Sequence, residues 1–349
     1  MPLQNSKTYI KDLDATIEHI IGVDKLIGKS VLVTGATGTI GSFVIDVLLR
    51  FNQISSSQIK VYVAGRNIKA LQEQFLYWND KNFTAVQYDM LNQILFDFPV
   101  DYIIHAAGNA HPTSFNGDPV GTIVGNINST YNLLQYAMSH GGKRLLFVSS
   151  GEVYGQGDIN LEEFPEEYLG YIDLSSPRSC YPQSKRGSEN LCASFSSQYG
   201  LETVVVRPCH TYGPQITPND SRATAQFIRN VLKDEDIVLK SAGSQMRSYN
   251  YIADCVSGLL TVLINGKSGE AYNLANPNAR ITIAQFAEIA AKIAGKNVIF
   301  KEPSIVDVAN RSPIQRQVLS SKKLESLGWK DAFSAEDGIR HTLLTLQNQ

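Results

Sequence analysis

Tyr181 and Lys185 stand in the order Tyr-x-x-x-Lys, inside a stretch whose pattern predicts a helix over 181–199. That spacing puts the phenol and the ammonium on one helix face, one turn apart. A free tyrosine titrates near ~10, too high for a useful base at neutral pH, and a neighbouring ammonium favours its phenolate. Ser150, at the end of a predicted strand, can hydrogen-bond the same substrate oxygen. Phenol, ammonium and hydroxyl together can take a proton from a sugar hydroxyl while hydride leaves the carbon that bears it. A Tyr-x-x-x-Lys pair is common by chance. Its position downstream of a glycine loop, between Ser150 and the next sheet strand, gives it weight.

That loop is TGATGTIGS, residues 34–42, directly after the first predicted strand and at the mouth of a helix. Gly35 permits the tight turn, Gly38 lets the backbone approach a pyrophosphate, and Gly41 lets helix and strand pack closely. Free N–H groups and the helix dipole then hold the anion. Gly35, Gly38, Thr39, Ile40 and Gly41 are therefore candidate dinucleotide ligands, and the positive nicotinamide ring would add to the ammonium in favouring the Tyr181 phenolate. The second strand ends Ala64-Gly65-Arg66-Asn67, without the acid that marks a free ribose 2′-hydroxyl. Arg66 could instead pair with a 2′-phosphate, which leans the local chemistry towards NADP over NAD. The other reading of Arg66 is a solvated arginine beside a site of relaxed preference. Asp89, at the end of the third strand, could accept from the adenine amino group.

These side chains need a scaffold, and the chain has the pattern for one. Strands are predicted at 30–34, 60–65, 83–89, 101–107, 144–149 and 202–207, with helices near 41–51, 67–77, 119–139 and 181–199 between them. Alternation of this kind predicts βαβ units and an α/β, Rossmann-type doubly wound parallel sheet. After residue 208 the texture changes to helices near 222–233, 254–265, 282–294 and 334–346 with short strands at 236–240 and 270–275, a smaller mixed α/β substrate-binding lobe. The expected organisation is an N-terminal helical extension over 1–28, an NAD(P)-binding domain over 29–208, and a lobe over 209–349 with some chain crossing back to the sheet. The extension is expected to pack Ile10, Leu13, Ile17, Ile20 and Ile21 against the body.

The 349 residues carry 31 basic and 33 acidic side chains, a formal charge of −2, with 43% hydrophobic residues. Such a balance argues against a nucleic-acid partner, and the hydrophobic content against disorder. No apolar run approaches the roughly 18 residues of a membrane span, and the N-terminus lacks a signal-peptide core. Cys180, Cys192, Cys209 and Cys255 form no CxxC pair, which fits reduced thiols in the cytoplasm. The six histidines show no metal-ligand spacing, so no metal is expected; His105 is expected to be buried and hydrogen-bonded. Glu162, Glu163, Glu166 and Glu167 are expected to form a solvated loop ahead of the catalytic helix.

TGATGTIGS, HAAGNAHP, SSGEVYG, YPQSK and RPCHTYGP together resemble the extended short-chain dehydrogenase/reductase family that acts on nucleotide sugars, over nearly the whole chain after residue 28. PRSCYPQSKR (177–186), NDSRATAQFI (219–228) and GSQMRSYNYIADCVSGL (243–259) are most similar to its UDP-glucuronate decarboxylase branch. The resemblance implies a nucleotide-diphosphate sugar as partner, NAD held tightly, and oxidation of the sugar at C4 to a ketone that enables further chemistry. It implies Ser150, Tyr181 and Lys185 as the oxidation triad, with Asn126 a partner of the lysine. Met90, Ala106, Ala107 and Gly108 join the cofactor set. Arg247 becomes a diphosphate ligand, with Arg222 a second candidate. A homodimer through the helices at 119–139 and 181–199 is also implied.

Glu152 bears on reaction type within that resemblance, because dehydratases and decarboxylases carry a glutamate there that can move a proton at C5 or act during CO2 loss. Gly151 departs from both, replacing the aspartate of 4,6-dehydratases and the serine of decarboxylases. Arg316 matches a decarboxylase arginine near the scissile carboxylate, or is a surface salt-bridge partner. Cys209-His210 replaces the usual Phe-Asn, so His210 either contacts the diphosphate, acts as an acid/base with Cys209, or belongs to a repacked loop. The reading is decarboxylation of a UDP-glucuronate-like substrate. The alternatives are an epimerase, a 4,6-dehydratase or an NADPH-dependent 4-keto-sugar reductase, and more distantly a non-catalytic dinucleotide sensor.

Overall fold

The computed structural model describes residues 2–158, 160–217, 220–302 and 314–347, excepting the side chain of Ser114. Asn219, which opens the 219–228 stretch, lies outside the described residues. In chain order the first elements are α1 (Lys7–Glu18), β1 (Ser30–Thr34), α2 (Thr39–Ser55), β2 (Lys60–Gly65), α3 (Ile68–Phe75) and β3 (Phe83–Gln87). Next come β4 (Tyr102–His105), α4 (Pro112–Gly117), α5 (Pro119–Ser139), β5 (Arg144–Val148), α6 (Cys180–Tyr199) and β6 (Glu202–Pro208). The smaller lobe adds β7 (Thr211–Tyr212), α7 (Ala223–Leu232), β8 (Ile237–Leu239), β9 (Met246–Ser248), β10 (Asn250–Tyr251) and α8 (Ile252–Asn265). The chain ends with β11 (Glu270–Leu274), β12 (Arg280–Thr282), α9 (Ile283–Ala294), β13 (Val298–Phe300), β14 (Arg316–Gln317), α10 (Lys322–Glu325) and α11 (Ala335–Gln347).

β1 is buried at every position, as a strand must be when helices cover both sheet faces. It lies inside a seven-stranded sheet of order β11-β6-β5-β4-β1-β2-β3, paired in parallel throughout. This is the doubly wound, Rossmann-type architecture expected from the alternating pattern. Strand order reverses between β1 and β4, where Thr34 and His105 are register partners. Ligands bind outside the carboxyl ends of the strands at such a switch point. β11 returns from the smaller lobe to extend the sheet beside β6. In the lobe itself β9 lies between β12 and β14, and two further pairs, β7–β10 and β8–β13, complete it.

Three local expectations change. β4 ends at His105, because the backbone leaves the ladder where Gly108 and its neighbours form the cleft wall. Ile21 is 38% exposed, while Tyr9, Asp12, Leu13, Thr16 and Ile17 of α1 are buried. The buried face of α1 is thus mixed, and its polar members find partners across the interface. The acidic stretch is solvated only in part: Glu162 and Glu167 are exposed, whereas Glu163 and Glu166 are held. Glu163 pairs with Arg280 and Lys322 and accepts from Ser320, and Glu166 accepts the Asn273 N–H at 2.8 Å. Phe164 between them is fully buried, and its N–H and C=O bond Val318 and Ser320. Apolar burial of Phe164, worth on the order of 1.5–3 kcal/mol, brings the adjacent Glu163 onto Arg280 and Lys322.

Candidate active site

α2 begins at the glycine loop with Gly38 as N-cap and no side chain capping it. Its first-turn N–H groups therefore face the cleft as anion donors. A Cβ on Gly35 would come within 2.5 Å of the Ala106 carbonyl, and one on Gly41 within 2.3 Å of the Gly35 carbonyl. Gly35 also has φ +72°, in the left-handed region. Only glycine fits either position, and the result is a backbone cradle of the kind a pyrophosphate requires.

The cleft spans about 1110 Å³, counting its solvent-open mouth, and its walls include Gly35, Gly38, Thr39, Ile40, Gly41, Ala106, Gly108, Ser150, Glu152, Tyr181, Lys185, His210 and Arg222. These residues come from both halves of the chain. Asn126 is set just behind, donating from Nδ2 to Ser184 Oγ at 2.8 Å, one helical residue from Lys185. Its Oδ1 is buried without a partner, facing the Gly108–Lys185 region. Thr34 Oγ1 accepts from Ala107 N at 3.2 Å and shares a 2.9 Å bond with His105 Nδ1, while His105 Nε2 meets Ser129 Oγ at 3.1 Å. Burial, aided by Lys185, drops His105 to about 3, so it is a neutral strut under the loop.

Lys185 is buried, donates to the Val148 carbonyl at 2.8 Å and sits over the Phe147 ring at 4.7 Å. Burial lowers it to about 8, against the pull of Glu189. Tyr181 stacks on Phe115, with centroids 5.0 Å apart and planes at 13°. The expectation of a lowered phenol does not hold in the protein alone. Burial pushes Tyr181 up to about 12, with the Ser150 hydroxyl favouring the phenolate, because the Lys185 ammonium is 5.9 Å from the ring centre and occupied by Val148. Ser150 Oγ also accepts from Glu152 N at 3.1 Å, which fixes the short turn over Gly151–Tyr154.

Glu152 lies on the cleft wall in a bidentate pair with Arg178, a residue the sequence reading did not single out. Gly151 is explained by its neighbours: a Cβ there would press to 3.2 Å from Leu319 Cδ1. Its carbonyl accepts from Gln317 Nε2 at 2.7 Å. Gln317, on β14, lines the cleft, whereas the adjacent Arg316 turns away and donates to the Glu162 carbonyl at 2.8 Å. Successive strand residues face opposite ways, so a one-residue parity decides which side chain meets a ligand.

The remaining cationic candidates separate. Arg222 reaches the cleft but is held by buried Asp220 at 2.5 Å and by the Thr211 carbonyl at 3.0 Å. His111, also missed, lines the same wall with Nδ1 3.6 Å from Asp220. Arg247 is 3% exposed and donates to the carbonyls of Met246, Ile314 and Gln315, behind the cleft rather than in it. His210 is in the wall, and burial plus Arg247 and Arg222 lower it to about 3. Burial drives the Cys209 thiol up, and its Sγ lies 3.3 Å from the Leu274 carbonyl, so the two do not form an acid/base pair. Arg66 is exposed at the end of β2. Asp89 accepts from Leu91 N at 3.0 Å, and Met90 packs against α5 at Gly125. Among the described residues no group of His, Cys, Asp and Glu could hold a metal. All four cysteines are buried and free.

The model of the NAD dependent epimerase/dehydratase family matches residues 31–275, leaving α1 outside the match. UDP-glucuronic acid decarboxylase 1 of Xenopus tropicalis is 30% identical over 316 residues, covering 90% of this chain and 71% of that protein. UDP-glucuronic acid decarboxylase 3 of Arabidopsis thaliana is 31% identical over 310 residues, covering 88% of this chain and 86% of that one. Among solved structures, the dTDP-glucose 4,6-dehydratase of Streptomyces venezuelae with NAD and TYD bound superposes with a TM-score of 0.76 at 25% identity, covering 91% of this chain and 97% of that one. With a family match across most of the sequence and decarboxylases identical at this level over most of their own length, the chain is an enzyme of the NAD dependent epimerase/dehydratase family.

Proposed function

We propose that the chain binds a nucleotide-diphosphate sugar, oxidises it at C4, and decarboxylates a UDP-glucuronate-type substrate. The observation that carries this reading is Glu152, which shares one cleft with Ser150, Tyr181 and Lys185 while paired to Arg178. The glycine cradle, the uncapped end of α2 and the orphaned Asn126 Oδ1 fit a dinucleotide. Gly35, Gly38, Thr39, Ile40 and Gly41 would hold its phosphates. When bound, that cofactor supplies the hydride acceptor and later the hydride donor.

The chain's own residues do the rest. Tyr181 takes the proton from the C4 hydroxyl, with Ser150 bonding the same oxygen and the Lys185 charge favouring the phenolate. In the resulting ketone the carboxylate sits β to the carbonyl. The electrons of the C5–C6 bond move towards O4, CO2 leaves, and Ser150 and Tyr181 stabilise the charge on O4. Glu152 is placed to move the proton that C5 then gains. Arg222 and His210 face the diphosphate, with Arg247 supporting that wall from behind. In this division 29–208 carries the cofactor and 209–349 most of the sugar-nucleotide contacts.

Incubating the protein with UDP-glucuronate and NAD or NADP, and scoring CO2 and a UDP-pentose, tests the reading; no product with either cofactor sinks it. A second reading, a C4 or C5 epimerase, draws on the Arg316 side chain facing Glu162 instead of the cleft, and an epimeric UDP-sugar without CO2 would select it. Titrating both cofactors against wild type and Arg66→Ala decides between them: a held NADP predicts weaker binding in the variant, a held NAD no change. Exposed Val120, Val124, Tyr131 and Met138 on α5 and Tyr199 on α6 supply apolar surface for a homodimer, which light scattering would detect. Among the described residues no helix is long and apolar enough to cross a membrane, and buried free thiols suit the reducing cytoplasm.

A further inference from the structure

The first helix contributes no residue to the cleft wall, yet a path of hydrogen bonds running through Gln215 joins it to the cleft. Tyr9, fully buried, donates to Asp46 Oδ2 at 2.5 Å and accepts from Gln215 Nε2 at 2.7 Å. Asp46 lies on α2, two turns below the phosphate end, and its other oxygen takes Gln4 Nε2 at 3.0 Å and Trp78 Nε1 at 2.6 Å. The Gln215 carbonyl accepts from Thr39 Oγ1 at 3.1 Å, and Arg222 Nη2 reaches that same hydroxyl at 3.5 Å. Gln215 is thus held by α1 through its side chain and by the first residue of α2 through its backbone. Gln215 Oε1 is buried without a partner, so the Nε2 bond to Tyr9 is what orients this amide, and losing it would leave both polar ends unpaired.

We propose that Tyr9 and Gln215 are positioning residues, through which the N-terminal helix fastens the loop after β7, with Thr39 and Arg222, to the phosphate-binding end of α2. This rests on the reading of the cleft as the dinucleotide and sugar-nucleotide site. The helix is then a working part of that site, although it lies outside the segment that defines the family.

The test uses the full chain. Tyr9→Phe keeps the ring and its edge-on contact with Phe43, 5.6 Å between centroids, and removes both hydrogen bonds. Gln215→Met keeps the backbone acceptor for Thr39 and removes the link to Tyr9. Each is expected to raise the dissociation constant for the dinucleotide the wild type holds, NADH or NADPH, and the KM for the sugar nucleotide by roughly tenfold, the scale of one buried hydrogen bond, with kcat within about twofold. The double variant is expected to lose no more than either single one, because the two share one interaction. Trp78→Phe is the control: it also unbonds Asp46 but leaves the Tyr9–Gln215 link, so it should lower the melting temperature and leave binding of that dinucleotide unchanged. Should Tyr9→Phe fail to fold, Gln215→Met carries the same reading. A wild type that binds neither NADH nor NADPH removes the site reading and the proposal with it. A wild type that binds, with Tyr9→Phe and Gln215→Met binding equally well, overturns the proposal alone.

Discussion

Arg178 meets Glu152 through two parallel contacts, Nη1 to Oε2 and Nη2 to Oε1, each 3.2 Å. The same guanidinium lies 5.6 Å over the Phe115 ring, whose other neighbour is Tyr181. The Glu152 carboxylate and the Tyr181 phenol are therefore both set by one stack. Glu152→Gln is expected to lower product formation by about 10²- to 10⁴-fold while reduced nicotinamide still forms in a single turnover. Arg178→Met is expected to lower turnover too, with sodium chloride affecting the variant less than the wild type. Stopped-flow absorbance at the reduced nicotinamide band separates the two steps.

In the proposed mechanism Lys185 is the cation that favours the phenolate, and burial has already brought it down to about 8. Its protonated form is the useful one, so kcat/KM should fall as pH rises past about 8. In Lys185→Met the fall should disappear along with most of the activity. A profile flat from pH 7 to beyond 9 would count against the lysine's role.

Gln317 and Arg316 are neighbours with opposite outlooks. Gln317→Ala should therefore raise KM or lower kcat by about tenfold, the scale of a lost hydrogen bond to the Gly151 turn. Arg316→Ala should change both by less than about twofold if its only work is the Glu162 carbonyl contact. Steady-state kinetics of the two variants is sufficient, and a reversed order would mean that the strand presents the arginine once substrate is bound.

Glu189 and Arg207 form a pair only 12% and 11% exposed, 2.7 Å apart, with Ser149 and Tyr154 bonded to the same two side chains. This network ties the end of β5 and the turn bearing Glu152 to the helix bearing Tyr181. Removing one partner strands the other charge, so Glu189→Gln should destabilise the fold by about 3–5 kcal/mol. Urea denaturation followed by circular dichroism would measure it.

His341 on α11 bonds buried Asp12 on α1 at 2.7 Å, and that bond raises the imidazole above its ordinary value. The stabilisation from this pair is fully present below the unfolded-state value of about 6.5 and is lost as pH rises through the raised folded-state value. The difference in melting temperature between wild type and His341→Gln should accordingly be largest at pH 6 and shrink towards pH 8.5. A difference independent of pH would mean that packing alone holds this helix end.

How much of this was legible in the sequence depends on how local each feature is. TGATGTIGS announces its turn because the glycines sit within one strand–helix junction, and Tyr181 and Lys185 share a face because four residues make a turn. The alternating pattern determined the parallel sheet, since strands buried on both faces must be continuously apolar. The extension of that sheet by β11 and the binding of the acidic stretch through Phe164 depended on long-range partners. Nothing local pairs Glu152 with Arg178, 26 residues on, or Tyr9 with Gln215, 206 residues on. Nor does spacing decide whether Arg316 or Gln317 enters the cleft, since a strand offers both faces and register alone selects one. Local pattern in the chain was enough for the kinds of chemistry and for the scaffold that carries them. Only tertiary structure decided which charges meet, which are buried into neutrality, as His210 is, and which helix holds the site together. The physical reason is that burial and long-range hydrogen bonding set those outcomes, and both come into existence only when distant segments pack.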